Sequence, residues 1–408
     1  MRDISLYEKI LGLSPPWKVT AVDMDEAGQT INVRVALPAG TRLACPECGR
    51  ADCTIKDRRE RSWRHLDTCQ FKTQIHAPLP RVDCPDCGVK TAEPPWAHKH
   101  SRFTLLFERL AIDALLEMSF KGACKLLRIS WDEADGIVGR AVKRGLEARD
   151  LSGLRRIGID EKAVLKGHQY ITIVYDLETA HVVWMGRDRT EATLDRFFAS
   201  LPDEVLGQID CITMDMWKPF AASCRKWIEE ADEKTVLDRF HLTRHLGEAV
   251  DQVRKQEHRA LREEGIELLS KTKWDWLYNV ENLPPEREAR YEQLRQYDLK
   301  TVRAHAIKEN FRHFWSYIYP ANARKFFKRW YFWASHSRMK PIITVAKRFK
   351  KHLERIMTFF RLNATNSTAE GINNKIQTIK KKAYGFRNMN RFMNAIYFHC
   401  AGLRLHPL

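Results

Sequence analysis

Apolar and polar residues alternate with a strand period twice near the start of the chain, at Val19-Thr20-Ala21-Val22 and at Ile31-Asn32-Val33-Arg34-Val35. A cysteine-rich segment follows at about 41–100, then a helical segment at about 101–150. From Arg156 the strand period returns. Ile157-Gly158-Ile159-Asp160, Tyr170-Ile171-Thr172-Ile173-Val174-Tyr175 and His181-Val182-Val183-Trp184-Met185 are separated by the turn-like Lys166-Gly167-His168 and Leu177-Glu178-Thr179-Ala180. This predicts a three-strand antiparallel meander. A helix near 190–200 leads to a fourth strand ending at Met214-Asp215, and another helix leads to a fifth, Thr235-Val236-Leu237-Asp238. From about 245 to 360 the pattern is one of long, basic, aromatic-rich helices, with a helix start at Pro284-Pro285-Glu286. A last helix is expected to begin near Thr368. There is no repeat and no low-complexity tract.

Composition adds a partner. The chain has 408 residues, a hydrophobic fraction of 44% and a net charge of +17. That length predicts two to four domains. The cationic surplus points to a polyanion, nucleic acid first and an acidic membrane surface second. No apolar run approaches the roughly 20 residues that a membrane span needs, so no membrane partner is expected. Met1 to Pro15 carries acids and lacks the apolar core of a signal peptide. These features predict a cytoplasmic, nucleoid-associated protein. In that compartment its 10 cysteines stay reduced, and paired cysteines read as metal ligands.

Two such pairs exist. Cys45-Pro46-Glu47-Cys48-Gly49 and Cys84-Pro85-Asp86-Cys87-Gly88 each place two thiolates on one tight turn. Together Cys45, Cys48, Cys84 and Cys87 make a closed, structural, tetrahedral zinc site. The long gap between them leaves room for strands around Trp63-Arg64-His65-Leu66. Cys53 and Cys69 offer other pairings, and Cys124, Cys211, Cys224 and Cys400 read as core.

Lys121 to Leu127 reads as a short helix, Arg128-Ile129-Ser130 as a turn, and Ser130-Trp131-Asp132-Glu133 as a capping box that opens the next helix. This is helix-turn-helix grammar; an ordinary helical hairpin has the same pattern. Asp132, Glu133 and Asp135 crowd the end that would read bases, while Arg140, Lys143 and Arg144 are placed to touch DNA backbone.

A meander followed by alternating helices and strands is the order of a ribonuclease H-like core, in which the first and fourth strands are neighbours. Asp160 and Asp215 would then lie side by side. Two such carboxylates stay ionised together only around a cation, here Mg2+ or Mn2+. A pair of such ions about 4 Å apart supports in-line phosphodiester displacement. The third acid is Glu370, whose helix face also carries Asn373, Asn374, Gln377 and Lys381 by the i+3/i+4 rule. Glu161 is a surface charge or a supporting group. Asp176, Asp188 and Asp210 fall in turns or strand edges.

Two basic regions extend this picture. Asn322 to Trp333 interleaves Lys and Arg with aromatics, which either stack on unpaired bases or, as Trp315, Trp330 and Trp333, form helix-packing core. After Glu370 no acid occurs, and Lys375, Lys380, Lys381, Lys382, Arg387 and Arg391 form a phosphate track or a solvated face.

With these motifs in hand, the chain resembles the DDE transposases of bacterial insertion sequences, specifically the ISL-three family. The resemblance rests on the paired knuckles around Trp63-Arg64-His65-Leu66, on Gly158-Ile159-Asp160-Glu161, Met214-Asp215-Met216-Trp217 and Asp238-Arg239-Phe240-His241. Glu370-Gly371-Ile372-Asn373-Asn374-Lys375 and Tyr384-Gly385-Phe386-Arg387-Asn388 complete it. It implies Asp160, Asp215 and Glu370 as catalytic metal ligands, cleavage at terminal inverted repeats, and strand transfer into target DNA. Asp238 and His241 match an Asp-x-x-His motif that either orients the site or braces the fifth strand. The expected fold is multidomain α/β plus α. A zinc-binding β-rich domain (1–100) and a helix-turn-helix domain (101–152) precede a ribonuclease H-like core, a mixed five-stranded sheet with helices, in two parts (153–244 and 361–408). An all-helical insertion (245–360) separates the parts. Joining two DNA ends in one event implies a homodimer. The alternative is a DNA-binding regulator with an inactive nuclease-like domain.

Overall fold

The computed structural model describes residues 3–13, 15–165, 169–362, 364, 367–383 and 385–407. The turn expected at Lys166-Gly167-His168, and Asn366 and Tyr384, lie outside the described residues. The chain forms two compact units. One runs to Arg149 and takes in Tyr397–His399 and the residues from Leu403 on; the other runs from Asp150 to Ile396 and takes in Cys400–Gly402.

The first unit opens with α1 (Asp3–Ile10) and a five-stranded sheet, β1 (Lys18–Asp25), β2 (Thr30–Ala36), β3 (Thr54–Arg64), β4 (Lys72–Cys84) and β5 (Gly88–Thr91). The order is β1-β2-β4-β3, with β5 on β4. Strand β4 alternates, burying Thr73, Ile75, Ala77 and Leu79, as a strand with one face on a core must. That core gathers Trp17, Trp63 and Trp96, with Trp96 meeting the other two edge-on at 5.0 and 5.5 Å. Three helices follow, α2 (Leu105–Glu117), α3 (Phe120–Leu127) and α4 (Trp131–Glu147). Thr104, Ser119 and Ser130 cap them. The expected capping box is present: Glu133 N–H donates to Ser130 Oγ (3.2 Å), and Ser130 N–H to Glu133 Oε2 (2.8 Å). The acids opening α4 are thereby explained locally, since carboxylates stabilise a helix N-terminus. The α3–α4 turn places Arg128 at φ 55°; its guanidinium is held by Asp67 and by the Gln70 carbonyl.

The second unit holds a second five-stranded sheet. Its elements are β6 (Arg156–Leu165), β7 (Gln169–Asp176), β8 (His181–Arg187), α5 (Glu191–Phe198), α6 (Asp203–Gln208), β9 (Cys211–Met214), α7 (Lys218–Trp227), α8 (Ala231–Lys234) and β10 (Thr235–Leu237). The order is β10-β9-β6-β7-β8. The β6–β7–β8 meander is antiparallel, and β9 and β10 run parallel to β6. Ile171, Thr172, Ile173, Val174 and Tyr175 of β7 are all fully buried, which a strand covered on both faces requires.

Helices follow: α9 (Arg239–Glu263), α10 (Lys273–Leu277), α11 (Pro285–Arg295), α12 (Lys300–Arg312), α13 (Pro320–Ser335), α14 (Lys340–Lys351), α15 (Leu353–Leu362), α16 (Ser367–Lys382) and α17 (Met389–Cys400). Pro285 stands at the first position of α11 as expected. The short α6 and the terminal α17 went unanticipated, so α16 is not the last helix. Gly385, at φ +94°, bonds back to the Lys380 carbonyl and ends α16. The aromatic stripe divides by face. Trp330 is core, with its indole N–H on the Ile307 carbonyl (3.0 Å) and its ring 4.5 Å from Phe311. Trp315 is partly buried and Trp333 is exposed. No helix among the described residues is long and apolar enough to cross a membrane.

Candidate active site and metal centre

The cysteine knuckles close. Cys45 N–H bonds to the Arg50 carbonyl and Gly49 N–H to the Cys45 carbonyl, curling the first turn. The second is the turn between β4 and β5. Gly49 and Gly88 adopt φ +75° and +69°, which glycine reaches without strain. The four sulfurs of Cys45, Cys48, Cys84 and Cys87 lie within 4.8 Å of one another. Cys48 and Cys84 approach to 3.6 Å. Backbone N–H groups of Cys87 and Asp86 pull the Cys84 thiol down to about 7, while Cys48 pushes its neighbour Cys87 up to about 12. Four thiols that cannot all ionise together are a donor set that fits a soft dication. Cys53 is buried beside them without joining the set, and Cys69 is exposed.

The basic residues assigned to α4 have different fates. Arg140 bonds Glu108 through Nε (2.9 Å) and Nη2 (2.6 Å), and Glu108, also bonded by Ser101 Oγ, is fully buried. Arg144 donates to the Leu405 carbonyl (2.6 Å). Both guanidinium groups also brace the fold. Lys143 stays exposed, 3.8 Å from Glu147.

The carboxylates gather on the second sheet. Asp160 sits on β6 and Asp215 directly follows β9, its parallel neighbour. Asp160 Oδ1 accepts the Glu161 N–H (2.8 Å), and Asp215 Oδ1 accepts the Met216 N–H (2.6 Å). Glu161 is half-buried beside both. Burial raises its carboxyl, and the charges of Asp160 and Asp215 raise it further. Its position makes it a supporting group rather than a free surface charge. An acid forced upward by two acid neighbours marks a place where a hard cation fits.

Glu370 lies on the exposed face of α16. The helix is tied to the sheet three residues further on. Asn373 Nδ2 donates to Asp160 Oδ2 (2.7 Å), and buried Tyr175 donates its hydroxyl to Asn373 Oδ1 (2.9 Å). Asn374, Gln377 and Lys381 share the exposed face of Glu370. Among the described residues only the four cysteines bring three or more metal-ligating groups within 4.8 Å of one another, so Asp160, Asp215 and Glu370 do not form so tight a group.

Asp238 both caps α9, accepting the Phe240 N–H (2.9 Å), and lies 3.6 Å from His241 Nε2. His241 Nδ1 is 3.2 Å from Asp215 Oδ2. Burial opposes protonation of His241, yet the Asp215 and Asp238 carboxylates raise its pKa. Burial likewise works against the Asp215 charge, and His241 outweighs it and holds the carboxyl low. The pair thus joins the start of α9 to the Asp215 carboxylate.

In the basic tail, Lys380 donates to the Ala163 (3.2 Å) and Val164 (2.9 Å) carbonyls and braces β6. Lys375, Lys381, Lys382 and Arg387 are exposed. Sequence reasoning missed Arg189. Its guanidinium lies 4.0 Å from the Tyr170 ring and 4.7 Å from that of Trp217, and 3.5 Å from Glu161. It also left Tyr175 without a role, and it placed Asn373 on the Glu370 face without its partner Asp160. No local signal marks Arg189 or Tyr175, because each acquires its partner across the fold.

Three family models match the chain. A family model described as Transposase, of the ISL3 DDE type, matches residues 157–396. The zinc-finger of transposase IS204/IS1001/IS1096/IS1165 matches 41–87, and the helix-turn-helix domain of transposase family ISL3 matches 92–142. The chain is similar to the transposase for insertion sequence element IS1001 of Bordetella parapertussis, 26% identical over 96% of this chain and 97% of that protein. It is equally similar to the transposase for insertion sequence element IS1557 of Mycobacterium tuberculosis, 26% identical over 99% of this chain and 97% of that protein.

Proposed function

We propose that this chain, which belongs to the ISL3 family of DDE transposases and is an enzyme that cleaves and transfers DNA, acts on the terminal inverted repeats of an insertion sequence. It binds them, cuts at the element ends and joins those ends to target DNA by transesterification. The observation that carries this reading is the Tyr175–Asn373–Asp160 chain of hydrogen bonds, which docks α16 against the strand that bears the first aspartate. Glu370 lies three residues before Asn373 on the same helix, which puts the third acid about one turn from that contact. The order β10-β9-β6-β7-β8, antiparallel for the meander and parallel beyond it, supports a ribonuclease H-like core.

Asp160, Asp215 and Glu370 are the residues that would hold the divalent ions. Bound Mg2+ or Mn2+ supplies activation of the attacking oxygen and stabilisation of the leaving oxygen. The chain's own residues do the rest. Asn373 and the Glu161 amide fix the Asp160 carboxylate, and His241 and Met216 N–H fix that of Asp215. Lys143 of the helix-turn-helix and Lys375, Lys381, Lys382 and Arg387 of the tail hold phosphates, as exposed cations do. The zinc site ties the two knuckles of its sheet together. The working division is 1–100 zinc-binding, 101–152 helix-turn-helix, 153–244 with 361–408 catalytic, and 245–360 insertion. The active species is a homodimer in the synaptic complex, working in the cytoplasm on the nucleoid.

A cleavage and strand-transfer assay on DNA carrying the element ends, with Mg2+, tests this. Asp160→Ala and Glu370→Ala should each lose both reactions, on the order of 10³-fold as for removal of an electrostatic catalytic group, with end binding intact. Undiminished activity in either variant would show that acid to be misassigned. A wild type that binds ends and never cuts them would be a regulator.

A further inference from the structure

We propose that the outer face of α13 is a DNA-binding surface that holds phosphates with Lys325, Lys328 and Arg329 and stacks Phe332 and Trp333 on bases outside a duplex. At about 100° per residue, these five and His336 share one arc of α13. The opposite arc, Ala323, Phe326, Phe327, Trp330 and Ala334, is buried in the helical core. The fold therefore does not need the outer arc. Phe332 and Trp333 are 65% and 42% exposed, and the Phe332 ring lies 4.2 Å from that of His336.

Charge selects the occupant. Between Glu309 and Glu354 the sequence carries eleven Lys and Arg and no acid. Arg324, on the flank of α13, is neutralised by Glu354 through two bonds of 2.6 and 2.8 Å. Lys325, Lys328 and Arg329 are exposed and make no ion pair among the described residues. On the next helix, α14, Lys347 and Arg348 are exposed as well. Cations interleaved with exposed aromatic rings match the two halves of a nucleotide, phosphate and base. A second copy of a +17 chain would be repelled by this face. A lipid surface calls for a broad apolar face, and here that face is buried. The proposal rests on the transposase reading and adds to it the part of the substrate that this face holds.

The test uses the full chain without divalent metal, so that binding is read apart from cleavage. Anisotropy is measured on a blunt duplex and on the same duplex with an unpaired single-stranded end. Lys325→Gln/Lys328→Gln/Arg329→Gln should reduce the slope of log affinity against log salt by about 2 to 3, as three lost phosphate contacts require. Phe332→Ala/Trp333→Ala should weaken binding of the unpaired-end probe by roughly 5- to 100-fold and leave the blunt duplex within about 2-fold. Melting temperatures should not move, because all five side chains are exposed. Wild-type slopes and affinities in both variants would overturn the proposal. So would binding of phosphatidylserine vesicles that the variants lose while DNA binding persists. Failure of the transposase reading shows separately, as absence of Mg2+-dependent end cleavage by the wild type.

Discussion

The cysteine cluster and the carboxylate site differ in how they are built. Each cysteine pair spans four residues of a glycine-ended turn, and one β-hairpin supplies the second pair outright. Once β3 and β4 pair, the four sulfurs fall within 4.8 Å. The acids come from β6, from the end of β9 and from a helix 155 positions beyond Asp215. Nothing local holds the third, which remains exposed. The lesson is that a cluster closed by its own turns is set locally, whereas the proposed acidic site is assembled from distant pieces and left open.

Removing zinc breaks the local half of this comparison most sharply. Structural zinc contributes on the order of 10 kcal/mol in small modules. Chelation, or Cys84→Ser, should therefore unfold the 41–100 region while α5 to α17 persist. Zinc stoichiometry and limited proteolysis read this directly, and full zinc retention in Cys84→Ser would contradict it.

Acid should weaken the packed helices. Burial lowers the pKa of His305 to about 4, against an ordinary 6.5. It lies between Trp276 and Tyr291 at 5.5 and 5.4 Å. The folded state keeps it neutral, whereas the unfolded chain takes up a proton below pH 6.5. Its contribution is complete above 6.5 and is lost as pH falls toward 4, up to about 3 kcal/mol. Urea unfolding across that range should show the loss, and His305→Gln should flatten it.

The smallest effect probes the distant assembly. Asn373→Ala removes the bond between α16 and Asp160. It should cost about 10- to 100-fold in activity or metal affinity, as loss of a ligand's hydrogen-bonding partner does. Tyr175→Phe should follow more weakly, since Asn373 then keeps its bond but loses the hydroxyl that fixes its amide orientation. Equal activity in Asn373→Ala and wild type would mean that packing alone docks α16.

Much of the molecule was legible along the chain. The Val19 and Ile31 strands, the meander from Ile157, the Ser130–Glu133 capping box and the Pro285 helix start all follow from patterns within a few residues. Periodicity, caps and glycine turns act over such distances, and the cysteine spacing belongs with them. Tertiary packing decided everything that depended on partners. It made Arg140 the counter-charge of buried Glu108, because a buried carboxylate is costly without one. It spent Lys380 on the end of β6, and it divided one aromatic stripe between core Trp330 and exposed Trp333. It also brought Asn373 to Asp160 across 213 positions. Sequence fixes which groups a segment presents, but a charge or an amide takes its role from what the fold places opposite it.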